Sequence, residues 1–434
     1  MPGANEPQEG ARRRVLFLQG PLSPLFRLTG KRISEAGHDV FRINLCAGDW
    51  LHWHGPECTS YRGRSTDWPE FIGRFLAENR ITDLVLHGDQ RIYHRAAIQC
   101  ALQLDIRIAV TELGYLRPGW MTLEKNGLST LSHFPDDPAR IRRIAEEVGD
   151  VDFTPMFPGS IYLQTVPDVI YNLANVLLKP LYPHYERHTI YHPVPEYLRG
   201  AIRLLGEKRR AWAADTVLAG LAAEDRPIFL LPLQLEGDFQ LRRHSPFGSF
   251  AEVIERVLAS FARSAPADAC LVLKSHPLDV GYENWPKVIG EAAQRHGVEG
   301  RVHFLDGGNL GAMFKHAGGM VTLNSTAGLE ALQAGLPVKT LVPAHYDIAG
   351  LTSQAPLHAF WTRPEKPDPE LLEAFLRAIA GTIQVRGSIH NREGVPVAAD
   401  NIARRILDRR LNEPGAFVDP PPRLERARAL GVPL

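Results

Sequence analysis

The 434-residue chain is poor in features that mark a specialised environment. Its cysteines, Cys46, Cys58, Cys100 and Cys270, lie far apart. That spacing excludes a zinc-type CxxC pair and a dense disulfide framework, and leaves reduced, structural thiols. No apolar run approaches the roughly 18 residues of a membrane-crossing helix. Charge of one sign is not in excess either: 49 Lys+Arg face 49 Asp+Glu, which argues against a general nucleic-acid binder. No GxGxxG or GxxxxGK[ST] loop appears, which weakens dinucleotide and ATPase readings. No Asp-x-Asp motif follows a strand-like run, so neither a metal nor another cofactor is expected. Arg12, Arg13 and Arg14 precede an apolar run at 15–18, but Gln19, Gly20 and Pro21 end it too soon for a signal peptide. A cytoplasmic protein is expected.

What is present is ordinary globular composition, 44 % hydrophobic and 23 % charged, in a length that suits two or three domains. Strand-like runs at 15–18, 39–45, 82–86 and 106–110 alternate with helical spacing at 25–36 and 94–104. A second series follows Pro227, with strands at 228–231, 270–274, 302–305, 320–323 and 337–341 and helices at 250–264, 310–316 and 326–334. Such alternation predicts right-handed crossovers and parallel sheets. The expected plan is α/β, with domains at 12–150 and 226–365, a helical insert at 151–225, and C-terminal helices at 366–434 ending in a loose tail around 420–428. Ligands of such sheets bind at the carboxyl ends of strands, so residues just after strands deserve the closest reading.

Gly88, Asp89, Arg91 and His94 follow one strand, where Asp89 is either a helix cap or a working carboxylate. Glu112, Gly114 and Arg117 follow the next. Glu112 could act as nucleophile or base, or simply pair with Arg117. In the second series, Lys274, Ser275, His276 and Pro277 follow a strand, and His276 before proline is held extended. Asn324, Ser325, Thr326 and Gly328 open a helix after another strand, an arrangement of hydroxyls and free N–H groups suited to an anion. Residues 171–212 interleave Tyr171, Tyr182, Tyr185, Tyr191, Tyr197 and Trp212 with seven Lys/Arg. That mixture fits an anionic membrane surface or a solvated helical insert.

Together these motifs resemble the KpsS/LipB family of capsular polysaccharide proteins. The resemblance runs from about residue 14 to 365. It takes in Leu18-Gln19-Gly20-Pro21, Gly88-Asp89-x-Arg91-x-x-His94, and Glu112-x-Gly114-Tyr115-Leu116-Arg117-Pro118 with Thr122 and Glu124. It continues through Leu233-Gln234 with Asp238, Gln240, Arg242 and His244-Ser245, then Lys274-x-His276-Pro277-x-Asp279 and Asn324-Ser325-Thr326-Ala327-Gly328. Tyr346-Asp347-Ile348-x-Gly350-Leu351-Thr352 and His358-x-Phe360-Trp361 complete it.

The resemblance implies a GT-B-like glycosyltransferase with two facing Rossmann-like domains. Its donor would be CMP-β-3-deoxy-D-manno-oct-2-ulosonic acid (Kdo) and its acceptor phosphatidylglycerol at the inner face of the cytoplasmic membrane. The product would be the start of the β-Kdo linker that carries capsule polymer to the assembly and ABC export machinery. Related β-Kdo transferases are thought to retain configuration through a carboxylate nucleophile, for which Glu112 is the first candidate and Asp89 the base or second carboxylate. Many relatives carry two acids before Gly114, whereas Leu113 follows Glu112 here. By the same resemblance Arg91, Arg117, His94 and Gly114 would meet the donor's sugar and carboxylate. Lys274, His276, Pro277, Asn324, Ser325, Thr326 and Gly328 would hold CMP. Gln19, Gly20, Gln234, Asp238, His244 and Asp347 are further motif positions. A GT-B enzyme with another nucleotide-sugar donor, and a non-catalytic glycolipid-binding or export factor, are the alternatives.

Overall fold

The computed structural model describes residues 12–224 and 226–434. They divide into two compact units, neither of which is one continuous stretch. The first unit holds the chain up to Leu128 with Val151–His188 and Ala380–Gly415, and the second holds Ser129–Asp150, Thr189–Ile379 and Ala416–Leu434.

Among the described residues twelve strands make two sheets. Those of the first unit are β1 (Arg14–Phe17), β2 (Asp39–Asn44), β3 (Cys58–Ser60), β4 (Asp83–His87), β5 (Arg107–Leu113), β6 (Trp120–Lys125) and, far along the chain, β12 (Gln384–Arg386). Their order is β12-β6-β5-β4-β1-β2-β3. The second unit has β7 (Ile228–Pro232), β8 (Cys270–Lys274), β9 (Val302–Leu305), β10 (Gly319–Thr322) and β11 (Val338–Thr340), in the order β11-β10-β7-β8-β9. Counted from the first strand of each unit, both contain the doubly wound order 3-2-1-4-5. In such sheets the crevice for a ligand opens where the winding reverses, outside the carboxyl ends of the first and fourth strands. Here those strands are β1 and β4 in one unit, and β7 and β10 in the other.

Two doubly wound α/β sheets are the plan expected, but the first sheet is not wholly parallel. β6 pairs antiparallel with β5, and β12 antiparallel with β6. β6 reads Trp-Met-Thr-Leu-Glu-Lys, with no uninterrupted apolar run, and β12 is three residues long. Neither carries the pattern by which a buried strand is recognised.

Interior strands are apolar on both faces because helices cover both. Alternate residues divide them: Val15 and Phe17 pack with Ala398, Ile402 and Ile406 of the helix Gly394–Leu407, whereas Leu16 and Leu84 pack with Trp68, Ile72 and Ala97 on the other side. In the second unit Phe250, Val253, Ile254, Val257, Leu258 and Phe261 recur at helical spacing and lie on Leu231, Leu271 and Val321.

The C-terminal tail is not loose. The buried Arg423 donates to the carbonyls of Phe134 and His345, both at 2.7 Å, and to Ala344 at 2.8 Å. A helix, Leu424–Ala429, follows. Proline and arginine there read as disorder in the sequence, yet the guanidinium is the fastening.

Candidate functional site

In the first unit, β4 and β5 run parallel with His87 beside Thr111, so Gly88 comes next to Glu112. Gly88 has φ +70°, and a Cβ there would sit 3.4 Å from Glu112 Oε2, so glycine lets chain and carboxylate approach. Glu112 Oε1 accepts the Leu113 N–H at 2.9 Å and lies 3.6 Å from His87 Nε2. The other ring nitrogen of His87 is 3.0 Å from Thr111 Oγ1. Burial holds the His87 imidazole down to about 4, against the pull of Glu112. His87 is therefore a neutral neighbour of Glu112 at ordinary pH.

Asp89 is buried, and Oδ2 accepts the Leu128 N–H at 2.9 Å. It does not cap the following helix, Ile92–Gln103, whose N-cap residue is Arg91. Burial raises the Asp89 carboxyl to about 6, with Glu112 adding like charge. His94 is fully buried, and its Nδ1 faces the Gly88 carbonyl at 2.6 Å. A carbonyl can only accept, so Nδ1 carries the proton and Nε2 is a bare acceptor, without a partner among the described residues. Burial first, and Arg91 second, keep this imidazole neutral.

Among the described residues Arg117 makes no ion pair with Glu112, and its Nε donates to the Gly114 carbonyl at 2.9 Å. Gly114 itself is obligatory, since a Cβ would stand 2.2 Å from the Trp120 carbonyl oxygen. Tyr115 donates its hydroxyl to Glu124 at 3.1 Å and its N–H to Gln384 Oε1 at 2.9 Å. Asp89, Arg91, His94 and Glu112 are thus brought together at two strand ends, with His87 as a member that the motif pattern alone leaves without a role. Gln19, after β1, reaches the same end of the sheet through its carbonyl, which accepts the His87 N–H at 3.2 Å. Its side chain donates to the hydroxyls of Tyr171 at 2.9 Å and Tyr185 at 3.1 Å. Gly20 makes room for the Phe26 ring, which a Cβ would meet at 2.7 Å.

In the second unit, Gln234 after β7 and Asn324 after β10 stand at the winding reversal. Gln234 Nε2 donates to Asn324 Oδ1 at 3.3 Å, and Asn324 Nδ2 donates to the Gln240 carbonyl at 3.1 Å. Gln234 Oε1 is buried without a partner among the described residues. Asp238 caps the short Phe239–Arg242 helix through the Gln240 N–H at 2.9 Å. His244 meets Thr130 Oγ1 at 2.6 Å and is held down to about 4 by burial.

Lys274, at the end of β8, is buried and among the described residues bonds only the Ser275 carbonyl, at 3.0 Å. Burial lowers its pKa, and Asp306 partly restores it. His276, ahead of Pro277, accepts the Leu278 N–H at Nδ1, 3.1 Å away, so its neutral form is protonated at Nε2. Ser325 Oγ accepts the Ala327 N–H at 3.3 Å, so one hydroxyl expected to serve an anion caps the helix Ala327–Gln333. Thr326 is the N-cap residue without using its side chain. Gly328 admits the Tyr346 hydroxyl, which a Cβ would meet at 2.1 Å; that hydroxyl donates to the Ser325 carbonyl. Asp347 accepts from Thr352 Oγ1 at 2.6 Å and pairs with Arg426, a loop fastening.

The family described as capsule polysaccharide biosynthesis protein matches residues 82–390, most of the chain and both sets of strand ends. The chain belongs to that family. It is 30 % identical over 400 residues to the capsule polysaccharide modification protein LipB of Neisseria meningitidis serogroup A, covering 88 % of this chain and 93 % of that one. It is 28 % identical over 373 residues to the capsule polysaccharide export protein KpsS of Escherichia coli, covering 84 % and 93 %. Among solved structures it is similar to the KpsC β-Kdo 2,7 transferase of Thermosulfurimonas dismutans, with a TM-score of 0.43 and 15 % identity over 90 % of this chain and 99 % of that one.

Among the described residues no helix is long and apolar enough to cross a membrane. Two helices nevertheless present apolar stripes outward. On Ile161–Leu177, Tyr162, Val166, Ile170, Leu173 and Leu177 are exposed at spacings of three and four. On Pro193–Leu205, Val194, Leu198, Ile202 and Leu205 do the same, Leu205 at 90 %. A solvated insert would show charge on those faces instead.

Proposed function

We propose that the protein is a glycosyltransferase that moves Kdo from CMP-β-Kdo to phosphatidylglycerol, starting the glycolipid on which capsule polymer is assembled. The observation that carries this reading is Glu112, a half-exposed carboxylate at the end of β5, with neutral His87 3.6 Å away and the buried Asp89 after the neighbouring strand. A retained anomer needs two inversions. In the first, Glu112 forms a bond to the anomeric carbon as the bond from that carbon to the CMP phosphate oxygen breaks. In the second, the acceptor hydroxyl forms its bond to the same carbon as Glu112 leaves, and Asp89 takes the hydroxyl proton. Asp89 with a pKa near 6 is mostly ionised at pH 7 and can do so.

Arg91 and Arg117 are the groups for the donor's own carboxylate, and His94 Nε2 is an acceptor for a sugar hydroxyl. Lys274 and His276 supply positive and N–H groups for the CMP phosphate, with Asn324, Ser325 and Thr326 completing the contact set. No metal or other cofactor enters this scheme. The outward stripes of Ile161–Leu177 and Pro193–Leu205, with Lys179, Arg187, Arg199, Lys208 and Arg209 near them, fit an anionic bilayer, where the acceptor resides. We place the protein peripherally on the inner face of the cytoplasmic membrane, beside the capsule export machinery.

The test is incubation of the purified protein with phosphatidylglycerol, CMP-Kdo and the synthetase that replenishes the donor, followed by mass spectrometry of the lipid. Lipid carrying one added Kdo is expected. CMP binding with no Kdo-bearing lipid would overturn the catalytic reading in favour of a glycolipid-binding factor.

A further inference from the structure

At the β6–β12 edge of the first sheet there is a cavity of about 370 Å³ that none of the roles above uses. Arg386, Arg404, Arg405 and Arg410 line it, with Asp408 and Glu413 as its acidic members. Among the described residues none of these four arginines is ion-paired, although arginines elsewhere in the chain pair freely, as Arg32 does with Asp400 at 2.5 Å.

Two of the four guanidinium groups are fixed in place. Arg405 donates to the carbonyls of Gly381, at 2.7 Å, and Thr382. Arg386 stacks over Trp120 at 4.1 Å and donates to the Thr154 carbonyl at 3.0 Å, while Asn401 holds its backbone at 3.0 Å. Each guanidinium has five N–H donors, so both keep donors in hand. Burial lowers the Arg405 pKa to about 10, and the nearby like charge of Arg410 pushes the same way. A desolvated cation beside a second cation is costly unless an anion joins them.

From this geometry we infer that the cavity is a binding site for a small oxyanion, a phosphate or carboxylate group on a body no larger than a sugar. Guanidinium forks match both anions in a bidentate way. The volume is at the small end of ligand pockets, which suits an occupant of about sugar size. Gln384, in the cavity wall, also accepts the Tyr115 N–H at 2.9 Å, so an occupant touches the residue that fastens the Gly114–Arg117 loop.

The experiment titrates the full-length protein with inorganic phosphate, glycerol 3-phosphate and glucuronate by calorimetry at constant ionic strength. Saturable binding of at least one is expected, and which of the three binds separates phosphate from carboxylate. Arg404 and Arg410 are exposed, so the double variant Arg404→Ser/Arg410→Ser should fold and bind at least tenfold more weakly. The charge-matched variant Arg62→Ser/Arg64→Ser, also at exposed positions, should bind as the wild type does. No saturable binding of any probe, or equal weakening in both variants, would overturn the site.

Discussion

Gln234 and Asn324 meet where the second sheet reverses its winding, side-chain amide to side-chain amide, 3.3 Å apart. Asn324 spends its own N–H groups on the carbonyls of Gln240 and His244, so the pair is held from one side. The outcome is a buried acceptor, Gln234 Oε1, with no donor among the described residues. An orphan acceptor costs about 1–3 kcal/mol, and a ligand N–H or O–H would remove that cost. Gln234→Leu should therefore leave the melting temperature within a few degrees of wild type, or raise it, while weakening CMP binding about tenfold. Unchanged CMP affinity in the variant, measured by calorimetry, would show that the acceptor serves no ligand.

Glu112→Gln keeps the size of the side chain and its contact with the Leu113 N–H, so folding should not change. As the proposed nucleophile, its loss should lower Kdo transfer by about 10³-fold or more, within the range seen when an essential group is removed. CMP binding should stay within about threefold, because Glu112 has no part in holding the nucleotide. A variant turning over at the wild-type rate would end the double-displacement scheme for this residue.

Both doubly wound sheets were legible because interior strands such as Ile228–Pro232 and Cys270–Lys274 are unbroken apolar runs followed by polar turn residues. The positions of Asp89, Glu112, Lys274 and Asn324 followed from the same rule, as each stands at or just past the carboxyl end of a strand. β6 and β12 were hidden because one has no uninterrupted apolar run and the other is too short to show a period. His87 was hidden for a different reason. It closes an apolar strand and reads as an end residue, whereas its importance comes from Thr111 and Glu112, which are neighbours only across the sheet. Arg423 shows the same limit: nothing local says that its guanidinium will meet carbonyls some 80 and 290 residues away.

Asp89 and His87 should leave opposite marks on stability. The Asp89 carboxyl titrates near 6 in the fold and near 3.9 when unfolded, so the native chain holds a proton that the unfolded chain has lost. Stability from this group falls as pH rises from about 4 to 6, by about 3 kcal/mol in all. His87, near 4 in the fold and 6.5 unfolded, makes stability fall as pH drops through the same window. The two partly cancel in the wild type. Asp89→Asn keeps an oxygen for the Leu128 N–H and removes only the first. Melting curves of both proteins should diverge in favour of the variant from pH 4 to 6 and run parallel above. A difference that does not change with pH would mean that Asp89 keeps its ordinary acidity.

The outward stripe on Pro193–Leu205 can be separated from folding because its members contact little of the protein. Leu198 and Ile202 are 64 % and 69 % exposed. Inserting such side chains into a bilayer is worth about 1.5–3 kcal/mol each, or more than tenfold apiece in partitioning. Leu198→Asp/Ile202→Asp should therefore reduce sedimentation with vesicles containing phosphatidylglycerol by at least tenfold, with an unchanged or higher melting temperature. Raising sodium chloride to 0.5 M should weaken wild-type binding only in part, since screening acts on the basic residues and leaves apolar insertion intact. Kdo transfer to a short-chain, water-soluble acceptor should survive the double substitution, because neither residue lies at the strand ends that carry Glu112 or Lys274. If vesicle binding were as strong in the variant as in the wild type, Leu198 and Ile202 would not be the membrane contact, and the apolar stripe on this helix would need another partner.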